Sequence, residues 1–248
     1  MDNLNKESND CEVEATNDQV TVSQSKRKNI SIRQIFFGEM QKYTHSQIIA
    51  LNSLICALIV LFVVFPIKIG PLDLAVIPIV AIIICTEILG LFNGMMSGLF
   101  FGLISLTNHL IRPGLLSQIF ISNPLVTFLP RLLISVSVYF SIKLLGYLFE
   151  KIKYKNTLSK KITPKILDTI KYAVGGFLGV LTNTAGVLGL IYAFYSNSTL
   201  QSGLAITKEF IMGIVTTNSV IEAIVCTVLA PAITLAVKKT LSLTMRKK

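Results

Sequence analysis

Charge is scarce in this 248-residue chain. Only 15% of its residues are Asp, Glu, Lys or Arg, against about a quarter in an ordinary soluble domain. Apolar residues make up 52%, and the mean hydropathy is +0.67. The scarcity is local: predominantly apolar runs of 18 residues or more separate the charged blocks. Each run is long enough to cross a ~30 Å hydrocarbon core at about 1.5 Å per residue. A soluble globular protein is excluded, and a polytopic membrane protein is expected.

Other absences narrow the chemistry. No G-x-x-x-x-G-K-[ST] loop occurs, so the chain is not an ATPase by that motif, and no H-E-x-x-H occurs. The segment Gly94-Met-Met-Ser97-Gly98 superficially resembles an intramembrane serine-protease site. The residue two before the serine is Met95, however, and His109, a dozen residues on, has no orienting carboxylate nearby. The expectation is a non-catalytic protein. The four cysteines (Cys11, Cys56, Cys85, Cys226) form no C-x-x-C pair, and three lie in apolar runs. There a free thiol packs as a small hydrophobe, so neither a disulfide framework nor a metal site is indicated. The first apolar run starts near residue 48 behind a polar tail, which does not fit a signal peptide. No internal repeat is visible.

The net charge of +10 by itself suggests an anionic partner such as nucleic acid. Its placement argues otherwise. Residues 1–44, the stretch 150–171 and the C-terminal Lys238, Lys239, Arg246, Lys247 and Lys248 together hold 18 of the 23 Lys and Arg residues. Basic clusters between apolar runs set membrane topology. They predict a cytoplasmic N-terminus, C-terminus and 150–171 loop, with Lys68, Arg112 and Lys208 on the opposite face.

Residues 1–44 form a cytoplasmic polar tail. The Asp-, Glu-, Asn- and Ser-rich part, 1–30, reads as disordered. Over 31–44, Ile32, Ile35, Phe36, Met40 and Tyr43 fall at helical spacing, which suits either an interfacial helix or a plain juxtamembrane linker. Residues 45–248 read as an all-α membrane domain of six transmembrane helices. The expected spans are about 48–65, 74–92, 94–111, 124–149, 172–195 and 210–237. A very short turn at Asn93–Gly94 makes spans two and three a tight hairpin. The last three spans exceed the ~20 residues a membrane needs, so tilt or protrusion is expected.

Glycines 90, 94, 98 and 102 recur at every fourth residue, and Gly175 and Gly179 repeat the pattern. Such ladders let a neighbouring helix approach closely. Ala50, Ser53 and Ala57 make a small-residue stripe on span one, suited to internal packing or to docking another membrane helix. Polar residues inside the lipid are rarer. Arg131 lies about 10 Å below the outer end of span four, and Asn218 and Glu222 about 12 and 18 Å below that of span six. Asn183, flanked by Thr182 and Thr184, falls near the midplane of span five. Such groups usually face a cavity or one another. Two readings follow: a small-molecule pocket in the outer half, or a buried structural network of Arg131, Glu222 and Asn183. Glu87 reads as structural, and His109 as a hydrogen-bonded interfacial residue.

Taken together, several elements resemble a known family. They are Ala50-Leu-Asn-Ser53-Leu-Ile-Cys-Ala57, the Pro66–Asp73 outer loop, the glycine-laddered hairpin, Asn123-Pro124, Leu129-Pro130-Arg131, Thr182-Asn183-Thr184 and Asn218-Ser-Val-Ile-Glu222. Over about residues 45–240 the chain resembles the substrate-specificity (S) component of an energy-coupling factor (ECF) vitamin transporter. The Pro-Arg and Thr-Asn-Thr elements are most similar to the pantothenate-type members. The resemblance implies a bacterial plasma-membrane protein that captures a vitamin from outside. It would topple when docked on a transmembrane T component driven by two cytosolic ATPases. No cofactor would belong to this chain; ATP would be used by the partners.

The first helix would dock on the T component through Ala50, Ser53 and Ala57, where Ser53 departs from the family's alanine. For pantothenate, Arg131 would take the carboxylate, and Asn183, Thr182 and Thr184 the amide or hydroxyls. Asn218, Asn123 and Glu222 would supply secondary contacts, and the Pro66–Pro71 loop with Gly70 a lid. The alternatives are an S component for another vitamin, or a self-sufficient secondary transporter or channel with Glu222 or Glu87 carrying a proton.

Overall fold

A capping box starts the first helix. The Thr44 hydroxyl accepts from the Gln47 backbone N–H, and the Gln47 side chain accepts in return from the Thr44 N–H. Helix α1 (His45–Val64) runs until Phe65, where Pro66 prevents continuation. The computed structural model describes residues 43–69, 72–113, 116–155, 164–195, 213 and 219–246, all within one compact unit, 36–248. After α1 come two three-residue strands, β1 (Ile67–Ile69) and β2 (Leu72–Leu74), paired antiparallel with Lys68 opposite Asp73. Helices follow at Val76–Leu89 (α2), Leu91–Ile111 (α3), Ser117–Ser122 (α4), Pro124–Lys155 (α5), Pro164–Tyr195 (α6) and Val220–Arg246 (α7).

Helices α1, α3, α5, α6 and α7 are each long and apolar enough to cross a membrane. Their outward faces expose Ile49, Leu54, Leu103, Phe140, Leu181 and Val228, surface that water would penalise and lipid accepts. The second expected span, α2, has only 14 residues, about 21 Å of helix. Every α2 residue except Ile77 is buried, because α1, α3, α5, α6 and α7 all pack around it. A helix apolar on all sides belongs at the centre of a bundle.

Several expected boundaries shift. The break between spans two and three falls at Gly90, not at Asn93–Gly94, and both of those residues lie inside α3. Gly90 has φ 90° and ψ −175°, a conformation open to glycine and strained for any residue with a Cβ. Helix α6 begins at Pro164 rather than near 172, and α5 extends to Lys155. At 32 residues each, both exceed the length a membrane needs. The loop expected to be outer holds the β1–β2 pair, and α4 occupies part of the connection between spans three and four, where no element was expected. The sixth span is described from Ser219 onward and continues to Arg246, past the expected end at 237. The tail, most of the 31–44 segment, Gly70 and Asn218 lie outside the described residues.

The glycine ladder seats α5 against α3. A Cβ on Gly98 would lie 2.6 Å from the Arg131 carbonyl oxygen, and one on Gly102 would lie 2.7 Å from the Phe128 ring. On α6, Gly179 meets Val138 and Gly186 meets Pro130 in the same way. The backbone around Arg131 is thus clamped between α3 and α6.

Candidate functional site

Arg131 owes its orientation to its neighbour. Pro130 lies inside α5 and has no N–H to give the Val126 carbonyl four residues earlier. The Arg131 Nη1–H takes that carbonyl at 3.0 Å. The guanidinium is therefore drawn back toward the N-terminal end of α5. It lies over two rings, 5.3 Å from the centroid of Phe101 on α3 and 5.6 Å from that of Phe120 on α4. Both contacts are within the range of a favourable cation–π interaction. Arg131 is only 6% exposed, and its Nε–H has no hydrogen-bond partner.

Phe120 is itself held in place. His109 stacks on it with ring centroids 4.7 Å apart, and His109 Nδ1 lies 2.9 Å from the Ser117 hydroxyl. The six-residue α4 is thereby pinned to the end of α3 with its phenyl ring over the arginine. The expectation of a hydrogen-bonded His109 agrees with this geometry.

Three of the residues singled out from the sequence, Arg131, Asn183 and Glu222, are buried. They do not bond to one another, so the structural network entertained from the sequence is absent as direct contacts among the described residues. Glu222 Oε1 accepts from the Ala75 backbone N–H at 3.0 Å, tying the first turn of α7 to the start of α2. Its charge and that of Arg131 attract, but no ion pair forms between them. The Asn183 Oδ1 is buried without a partner. Its level follows from the register of α6 on α5: Gly186 faces Pro130 and Gly179 faces Val138, so Asn183 falls level with about residues 133–134.

The flanking threonines do not share that position. Successive helical residues point about 100° apart, so Thr182, Asn183 and Thr184 cannot line one pocket together. Both threonines are half-buried, and the Thr182 hydroxyl donates to the Leu178 carbonyl at 2.7 Å. Asn123 is occupied locally: its Oδ1 accepts from the Leu125 N–H at 3.2 Å, capping α5 ahead of Pro124.

Two residues were missed. Thr127 and Ser135 stand four residues before and after Arg131, on the same face of α5, and both are fully buried. Each has a hydroxyl oxygen with no hydrogen-bond partner. Thr127, Arg131 and Ser135 form a polar stripe about 12 Å long on α5, and Asn183 on α6 stands at the level of its inner half. The i, i+4, i+8 spacing of polar residues in an apolar run was available in the sequence. Serine and threonine are common enough in membrane helices that the spacing alone did not stand out.

On the other side of the bundle, Ala50, Ser53 and Ala57 are all exposed on α1. The opposite face of that helix is anchored. Asn52 Nδ2 donates to Asn93 Oδ1 at 3.0 Å, and its Oδ1 lies 3.7 Å from the Cys85 sulfur, which is 3.2 Å from the Ser97 hydroxyl.

A family model described as ECF transporter, substrate-specific component, matches residues 48–234, about three quarters of the chain. A search of curated proteins found no match.

Proposed function

The chain belongs to the substrate-specific components of ECF transporters, and from that premise we propose that it is the subunit that captures pantothenate for an ATP-driven importer. The observation that carries the reading is Arg131. It is a buried guanidinium with no counter-ion in contact among the described residues, an unpartnered Nε–H, and two aromatic rings within cation–π distance. A carboxylate fits that gap, because it accepts charge-assisted hydrogen bonds and neutralises the buried cation. Pantothenate also brings an amide and two hydroxyl groups. The unpartnered oxygens of Thr127, Ser135 and Asn183 supply matching polar atoms along the same wall. Glu222 accepts from the Ala75 N–H just after the strand pair that carries the candidate lid, and in this reading contributes from that side.

In this reading the exposed Ala50, Ser53 and Ala57 receive the T component, whose two ATPase partners supply the energy. Both termini are cytoplasmic, as the basic blocks require. The test is a calorimetric titration of the purified protein with pantothenate, beside mass spectrometry of the ligand that co-purifies with it. Arg131→Ala is expected to weaken binding by at least about a hundredfold, as loss of two charge-assisted bonds implies. Unchanged affinity would remove the carboxylate clamp. A different carboxylate-bearing vitamin in the mass spectrum would keep the clamp and replace the substrate.

A further inference from the structure

Phe120 owes its place over Arg131 to contacts outside its own helix. Helix α4 has six residues, too few to make a stable helix unaided. Tertiary contacts therefore set where it lies and how it is turned. One set is apolar: Ile119 and Phe120 join a buried cluster with Val126 on α5 and Leu188 and Ile191 on α6. Val126 is also the residue whose carbonyl takes the Arg131 Nη1–H at 3.0 Å. Two constraints on the guanidinium, the Phe120 ring and the Val126 carbonyl, thus meet at this small cluster.

A second set of contacts comes from His109, in the last turn of α3. Its ring stacks on Phe120 with centroids 4.7 Å and planes 18° apart, and its Nδ1 lies 2.9 Å from the Ser117 hydroxyl. Ser117 and Phe120 are three residues apart and so lie on one face of α4. One side chain therefore grips that face at two points about a turn apart. The two sets differ in kind. Apolar burial holds α4 against the bundle but is non-directional, whereas a hydrogen bond and a ring stack each have a preferred geometry. Contact at both points fixes the rotation of α4 about its axis, and that rotation aims Phe120 at the guanidinium. The ring steadies the cation by electrostatic attraction and leaves the unpartnered Nε–H for a carboxylate.

We infer that His109 is a positioning residue for capture of the ligand's carboxylate. It acts through Phe120 to hold the Arg131 guanidinium in the orientation that receives the anion. The inference rests on the reading of Arg131 as a carboxylate clamp and deepens it by one residue of α3.

The experiment is calorimetric titration of the full chain with two ligands, pantothenate and pantothenol, the alcohol in which CH2OH replaces the carboxylate. The wild type is expected to bind pantothenate far more tightly. Comparable binding of the two, or binding of neither, defeats the clamp reading itself and this inference with it. Where the wild type shows the preference, His109→Ala is expected to weaken pantothenate about tenfold, the loss of roughly one cation–π contact, and to leave pantothenol unaltered. His109→Phe, which keeps the stack, is expected to bind pantothenate more tightly than the alanine variant. His109→Gln keeps a hydrogen-bonding group for Ser117 without the ring. It is expected to behave like the alanine variant, and decides the matter if that variant does not fold.

Undiminished pantothenate affinity in these variants overturns the inference. So does an equal loss for both ligands, which is what a merely structural role would give. The route through Phe120 is read from a double-mutant cycle. In a Phe120→Ala background His109→Ala should cost nothing more, and a further full loss there overturns the assignment of His109 as acting through that ring.

Discussion

Two buried polar groupings in this bundle are built on opposite principles. Asn52, Cys85, Asn93 and Ser97 join α1, α2 and α3 through contacts to one another, and the remaining Asn93 amide donor lies 3.4 Å from the Leu89 carbonyl. Thr127, Arg131, Ser135 and Asn183 each present a buried polar atom that nothing among the described residues satisfies. The first grouping is complete and holds α1 in place. The second is incomplete at several positions, and in the proposed reading a ligand completes its hydrogen bonding. Buried polarity alone does not separate a scaffold from a binding wall; the state of its hydrogen bonds does.

The comparison can be broken most directly at Arg131. Arg131→Ala should abolish high-affinity binding while leaving the protein folded, because removing a buried charge without a contacting counter-ion offsets the loss of its Val126 hydrogen bond and ring contacts. Loss of folding together with binding, seen as a collapsed thermal transition, would move Arg131 into the scaffold class. Gly98→Val comes next. Its side chain would meet the Arg131 carbonyl oxygen at 2.6 Å, so α3 and α5 must separate. Both affinity and thermal stability should fall, by about 1–3 kcal/mol in stability. A variant as stable as the wild type would show that the ladder tolerates a gap.

Ser135→Ala isolates the wall from the fold. The hydroxyl oxygen has no partner in the unliganded chain, so its removal should leave thermal stability unchanged or slightly raised. Ligand affinity should fall about tenfold. A drop in stability with unaltered affinity reverses the assignment. Asn52→Ala should behave in the opposite way. Unfolding is expected about 1 kcal/mol easier, since Asn93 loses its partner, and affinity should be unaltered in the same titration.

Much of the fold was legible because lipid imposes simple rules. Long apolar runs must be helices, and α1, α2, α3, α5, α6 and α7 overlap the expected runs. Boundaries were less legible. The Gly90 break was hidden inside a regular glycine ladder, where one glycine turns the chain and the next three receive a neighbouring helix. The hairpin at 67–74 and the short α4 are held by pairing and by side chains distant in sequence, such as His109 on Phe120, so local pattern did not reveal them.

At the candidate site, the three residues picked for their depth and rarity, Arg131, Asn183 and Glu222, are buried. The two threonines beside Asn183 are not, because three consecutive residues cannot share one helical face.

Sequence alone determined that the chain crosses a membrane, where its basic blocks lie and that Arg131 stands in an apolar helix, since these depend only on composition along the chain. It even contained the reason for the arginine's direction, in the proline before it that vacates a carbonyl. Only the tertiary structure decided that Arg131 lacks a counter-ion in contact while Glu222 serves the start of α2. Partnership between buried charges depends on distances between helices far apart in sequence. Those distances are set by which glycines admit which neighbours, a property of the packed bundle and not of any one span.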